Sequence, residues 1–160
     1  MNKVDLFVDG SVNVKSGIGF GAWLVVEDQR LSVEAHRKNV KVKRFEDTSS
    51  TRLELQILLW ALDEAKVPNV KIVVHTDSQN TLGLLDRRNR LEQSDFRSKA
   101  GRPLNNRDLY RQFYDAIDSL DLEFVKLKGH KQSSQKGKLD DLFTLVDRAA
   151  REAQRKDATD

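Results

Sequence analysis

The segments "KVDLFVDGS" and "KIVVHTDSQ" each climb through β-branched and aromatic residues and stop on a carboxylate, Asp9 in the first and Asp77 in the second. Either aspartate suits a turn, because Asp readily bonds its own backbone two residues on. If the two strands are parallel neighbours, however, both carboxylates reach one sheet edge, where open α/β sheets bind their ligands. Two ionised carboxylates in a partly dry crevice repel each other unless a cation lies between them, and hard divalent ions such as Mg²⁺ prefer oxygen donors. Repetition on adjacent strands favours this second reading, since a turn has no need for the carboxylates to converge.

Two more carboxylates stand in unexpected places. Glu54 shares a helical stripe with Ile57, Leu58, Ala61 and Ala65 and therefore points inward, although "TRLE" also fits a capping box with Thr51 as N-cap. Asp147 lies mid-helix, in line with Phe143 and Ala150, where Asp is a poor helix former; a surface ion pair with Arg151, four residues on, is the alternative. His130, in a loop rich in Gly, Ser and Lys, is either a proton carrier or a solvated loop histidine. His36 and His75 read as structural.

The elements needed to position these groups follow from the pattern. "VDLFVDGS", "GIGFGAWLVVED" and "RLSVEAHRKNVKV" read as an antiparallel meander, followed by a helix from Thr51 to about Lys66, ended by "VPN", and by strand "VKIVVHT". A helix near "SQNTLGLLDRR", a basic stretch to Pro103, helix "NRDLYRQFYDAIDSL", strand "LEFVKL", loop "KGHKQSSQKGK" and helix "LDDLFTLVDRAAREAQR" complete the order. The first and fourth strands are separated by a meander and a helix, so a right-handed crossover sets them side by side and parallel. With 160 residues and 38% hydrophobic content the chain suffices for one core, so a single domain is expected over 1–155 with a polar tail over 156–160.

Composition excludes several classes of chemistry. The absence of cysteine removes disulfides, thiolate zinc sites and thiol nucleophiles, and fits a reducing compartment. The chain opens without a basic and apolar leader, and its longest apolar run, "ILLWAL", is far too short for a membrane span, so a cytoplasmic, soluble protein without a membrane partner is expected. A net charge of +3 is a weak pointer to nucleic acid, and the distribution of charge matters more.

The blocks "DLFVDGS", "GIGFGAWLV", "STRLELQILLWAL", "VVHTDSQ", "KGH" and "VDRAA", in that order, resemble those of the ribonuclease H type 1 family over almost the whole chain. The resemblance implies an α/β RNase H-like fold, with a five-stranded mixed sheet (antiparallel meander plus parallel strands) flanked by helices. It also implies an endonuclease that cleaves the RNA strand of RNA/DNA hybrids as a monomer, using two Mg²⁺ ions for which Mn²⁺ can substitute. Asp9, Glu54, Asp77 and Asp147 then match the four metal-binding carboxylates and His130 the family's loop histidine. Two ions a few ångström apart suit that reaction, one activating the attacking water and the other stabilising the leaving 3′ oxygen.

By the same resemblance Ser11 and Gln79 match nucleic-acid contacts, and Arg52 matches a residue near a DNA phosphate pocket. Ser50 and Thr51 stand where asparagines are usual before the glutamate, and Phe143 where an asparagine often stands. Arg87, Arg88, Arg90, Arg97, Lys99 and Arg102 form a candidate basic handle, or else a solvated face, without the tryptophans the family carries there. Two alternatives remain: a DNA nuclease such as a junction resolvase on the same fold, opposed by Gln79 and the "DGS" block, and a non-catalytic hybrid-binding module, whose expected mark is a missing carboxylate.

Overall fold

The computed structural model describes residues 3–28, 30–65, 69–127 and 137–159. Its centre is β1 (Lys3–Asn13), in which residues 4–8 are all buried. A strand with neighbours on both edges and helices on both faces is buried on both, which is why "VDLFV" does not alternate cleanly; its one charged residue, Asp5, is buried as well. β2 (Ile18–Val26) and β3 (Lys41–Phe45) continue the sheet antiparallel on one side. β4 (Lys71–Thr76) and β5 (Leu122–Lys126) add to the other side in parallel, giving the order β3-β2-β1-β4-β5. The mixed five-stranded sheet expected from the sequence is thus present.

The meander differs in one respect. Val33–His36 is a short helix, α1, and not the start of the third strand. The Ser32 hydroxyl accepts from the Ala35 amide at 3.2 Å, capping the turn, and His36 is buried at its end. Ser followed by Glu in the first turn outweighs the strand tendency of Val33.

Two helices matter for the site. α2 (Ser50–Ala65) lays Leu53, Ile57, Leu58 and Ala61 on one face of the sheet, over Val4, Leu6 and Val8. It sits close because glycines lie beneath it: a Cβ on Gly21 would stand 2.2 Å from Ile57 Cγ1, and one on Gly10 2.6 Å from Ile57 Cδ1. That approach brings the first turns of α2 against the end of β1. α5 (Lys138–Thr159) covers the opposite face, packing Leu142, Val146 and Ala150 on Phe7, Ala22 and Leu24. It runs on through Thr159, so the expected tail at 156–159 is helical, and Asp157 pairs with Arg44 of β3 at 3.4 Å. Ala, Gln, Arg and Lys in this stretch are good helix formers, which explains the continuation. α3 (Gln79–Gln93) and α4 (Arg107–Ser119) complete the α2 side. Among the described residues no helix is long and apolar enough to cross a membrane.

Candidate active site

The register of β1 on β4 pairs Phe7 with His75, so Asp9 and Asp77, two residues further along, arrive level with each other. Asp77 stands one residue past the end of β4, at the mouth of the site. Glu54 comes from the second turn of α2 and Asp147 from the middle of α5, each half-buried. Asp9 does not end its strand as expected, because β1 runs on beside β2 to Asn13; it stands just past the point where the β1–β4 pairing stops. Four elements therefore bring one carboxylate each to that edge of the parallel pairing. The floor beneath them is rigid. His75 stacks on Phe7 with ring centroids 4.6 Å apart, and its Nε2 lies 2.8 Å from Asp5 Oδ1, both residues being buried.

The electrostatics are those of a crowded acidic crevice. Burial, a carboxyl hydrogen bond with Asp147 and the charge of Asp77 together push Asp9 up to about 8, against the pull of the Gly10 amide. Glu54 is raised by burial and by Asp77, an effect opposed by a hydrogen bond that the Ser78 hydroxyl donates to Glu54 Oε2 at 2.5 Å. Asp77 is raised first by partial enclosure and then by Asp147, while Arg151 acts in the opposite sense. Like charges gathered this closely keep a proton that isolated carboxylates would lose. The crevice between Asp9, Gly10, Glu54, Asp77 and Ser78 is small, about 10 Å³.

Both local readings of Asp147 hold at once. It bonds Asp9, and Arg151 Nε donates to its Oδ1 at 3.0 Å. The capping box, in contrast, is absent. Ser49 is the N-cap, its hydroxyl accepting from the Arg52 amide at 3.2 Å, so Thr51 lies inside the helix and Glu54 is too far along to reach back. As they stand, no three acidic or histidine side chains of the described residues are arranged around one point suited to an ion. Glu54 is turned to Ser78, and Asp147 to Asp9 and Arg151. The donor set is nevertheless all oxygen and crowded enough to hold a proton on Asp9, which is the chemistry a hard divalent cation relieves.

The expected substrate contacts lie on β1, α2 and α3. Ser11 is half-buried on β1 beyond Asp9, and Gln79 opens α3 on the exposed side of Asp77. Ser50, Thr51 and Arg52 lie on the first turn of α2, where Arg52 forks onto Asp108 at 3.2 and 3.0 Å. Arg52 also lines a polar groove of about 610 Å³ with Thr48, Asn105 and Asn106, three residues that sequence reading missed because they are polar loop and helix-start positions without pattern. Ser78 was missed for the same reason: a helix cap looks sufficient explanation for it. Another groove, about 690 Å³, lies elsewhere, between α2, α4 and β3 around Trp60, and holds none of these carboxylates. His130 lies outside the described residues.

The basic stretch is ordered. α3 extends to Gln93, an isolated bridge joins Arg97 to Pro103, and Phe96 is buried against Tyr114. Arg87 donates to the Asn80 and Gly83 carbonyls, and Arg88 forks onto Asp118 at 2.7 Å on both arms and also bonds Glu92. Arg97 donates to the Gly101 carbonyl. Arg90, Lys99 and Arg102 are exposed, and none of their side chains has a partner among the described residues.

Carboxylates gathered at one edge of a mixed sheet suit metal-assisted hydrolysis of a phosphodiester, and comparison gives the family. The profile of the RNase H family matches residues 1–154. A ribonuclease H of Novosphingobium aromaticivorans is 28% identical over 143 residues, 89% of this chain and 94% of that protein. One of Hydrogenovibrio crunogenus is 28% identical over 144 residues, 89% and 93% of the two. Among solved structures, a foamy viral protease-reverse transcriptase in complex with double-stranded DNA matches with a TM-score of 0.65 and 13% identity, over 93% of this chain and 94% of that one, a likeness of fold. The chain belongs to the RNase H family. It is accordingly an endonuclease of RNA/DNA hybrids, in a family whose dependence on divalent metal is general.

Proposed function

We propose that Asp9, Glu54, Asp77 and Asp147 are the groups with which this chain holds two Mg²⁺ ions and hydrolyses the RNA strand, leaving 5′ phosphate and 3′ hydroxyl ends. The observation that carries the reading is the convergence of these carboxyls from β1, the end of β4 and α5, where Asp9, half-buried, is held up to about 8 by burial, Asp147 and Asp77. When bound, the ions supply an activated water and charge stabilisation at the leaving 3′ oxygen. The chain's part is to present oxygens from four elements whose backbones are fixed by the sheet, with Mn²⁺ able to replace Mg²⁺ at the same donors. Asp9 would give up its proton to serve as a ligand, and Asp147, which accepts from Arg151 Nε at 3.0 Å, would contribute a further oxygen. His130 is proposed to carry a proton or assist ion release. All four carboxylates come from one chain, which supports action as a monomer.

Hybrid selectivity is assigned to Ser11 and Gln79, each two residues beyond one of the paired aspartates, with the 2′ hydroxyl as the feature that distinguishes the RNA strand. Ser50, Thr51 and Arg52 are assigned to the DNA backbone. The test is a panel of hybrid, duplex RNA, duplex DNA and branched DNA with Mg²⁺ or chelator. Cleavage confined to the hybrid and lost in chelator is expected, whereas preferential cutting of branched DNA would favour a resolvase.

Phosphate gripping is assigned to the exposed cations of the basic stretch. Arg87 is bonded within α3 and Arg88 holds α3 on α4, so the variant that probes binding is Arg90→Ala, Lys99→Ala and Arg102→Ala combined. It is expected to raise KM with little change in kcat and to flatten the salt dependence of hybrid binding by about one unit of slope per lost contact. An unchanged slope across a salt series leaves these residues as a solvated face.

A further inference from the structure

We propose that Ser78 is a positioning residue of the active site: its hydroxyl fixes the rotamer of Glu54 and so sets where that carboxylate meets a divalent cation. The inference rests on the assignment of Glu54 given above and deepens it.

Ser78 is held on every side. It is 5% exposed, it is the N-cap of α3, and its amide donates to Thr76 Oγ1 at 3.0 Å. A serine hydroxyl has one proton and two lone pairs. The proton goes to Glu54 Oε2 at 2.5 Å, the shortest of its contacts. The Thr81 amide donates to Ser78 Oγ at 3.1 Å, and Thr81 Oγ1 lies 3.0 Å away. With Ser78's proton committed to Glu54, the Thr81 hydroxyl is the donor in that last contact, and both lone pairs are filled. The hydroxyl is therefore saturated, with no freedom to turn.

Glu54 has no such rigidity of its own. A glutamate carries three rotatable bonds, and those rotamers must be lost before its carboxylate can serve as a fixed ligand. Ser78 removes that freedom from a neutral donor, so Glu54 is oriented without a cation to neutralise it, unlike Asp147 with Arg151. Among the described residues Oε1 has no hydrogen-bond partner and stays free to face the crevice. Because Ser78 directly follows Asp77, the same bond ties the carboxylate of α2 to the one at the end of β4. Groups of this kind behind a ligand are commonly worth 10- to 100-fold in metal affinity or activity.

The experiment separates this role from helix capping. Glycine is nearly as good as serine at an N-cap and alanine is not, so Ser78→Gly keeps the cap while removing the donor, and Ser78→Ala removes both. Mg²⁺ binding to each full-length variant, without nucleic acid, is followed by calorimetry, together with melting temperature, kcat and hybrid KM. Both variants are expected to bind Mg²⁺ about 10-fold more weakly and to lose kcat in proportion, with hybrid KM unchanged, although only Ser78→Ala melts markedly lower. Ser78→Thr, which keeps the hydroxyl, is expected to recover Mg²⁺ affinity. Wild-type Mg²⁺ affinity and kcat in Ser78→Gly overturn the proposal, as does a loss that tracks melting temperature alone. Failure of the wild-type chain to bind Mg²⁺ or cut hybrid would instead overturn the assignment of Glu54 on which it rests.

Discussion

Asp9→Asn and Asp77→Asn each lower the rate of hybrid cleavage on the order of 10³-fold or more at saturating Mg²⁺, because each removes a charge on which the bound cations and the developing charge of the transition state depend. The fold persists in both. Asp9→Asn has a second, opposite consequence in the metal-free protein. Asp9 is raised to about 8 in the folded state, from an ordinary value of 3.8. A group raised on folding stabilises fully at pH below its unfolded value, and that stabilisation is lost as pH climbs through the folded one. The chelated wild type therefore weakens as pH rises from about 4 to about 8, by a few kcal/mol in all. Asparagine cannot ionise and keeps an amide for the bond to Asp147. Denaturant unfolding in chelator at pH 5 and pH 8 is expected to show a wild type that loses stability and an Asp9→Asn protein that does not, with the variant the more stable at pH 8. Added Mg²⁺ restores the wild type alone. Near wild-type cleavage in either variant shows that these aspartates do not hold the cations.

Glu54→Gln is the second large effect, with activity and stability expected to part company. Glutamine still accepts from Ser78, so the contact between α2 and α3 survives, and no capping box is at stake because Ser49 caps the helix. What disappears is the negative charge toward a cation. A loss on the order of 10²-fold or more in kcat is expected, with melting temperature within a degree or two of wild type. Deleting a charge that burial and Asp77 disfavour offsets the weakening of the Ser78 bond, which favours the ionised form, so the metal-free fold changes little. A stable, fully active Glu54→Gln protein would remove Glu54 from the site.

Much of this arrangement is legible in the chain alone. Asp9 and Asp77 announce themselves as a pair: either alone suits a turn, but the crossover rule makes β1 and β4 parallel neighbours, and a turn has no need for both carboxylates at one edge. Glu54 is visible as a carboxylate on an apolar stripe. Contacts between residues far apart in the chain are what sequence reasoning could not reach. Arg88 looks free until Asp118, thirty positions on, is seen to take both its arms. Ser78 looks like a cap until α2 brings Glu54 to it across 24 positions. The short helix at Val33–His36 was hidden because one turn is too brief to show a period, and a Ser cap decides it. The capping box at Thr51 failed by two residues, the usual scale of error for a helix start.

The most direct measurement labels the RNA and the DNA strand of one hybrid in turn and incubates each with wild type or Asp9→Asn, with Mg²⁺ or with chelator. RNA fragments ending in 3′ hydroxyl and beginning in 5′ phosphate are expected from wild type with Mg²⁺ only, beside an intact DNA strand. Cutting of the DNA strand, cutting in chelator, or undiminished cutting by Asp9→Asn would contradict hydrolysis at this carboxylate site.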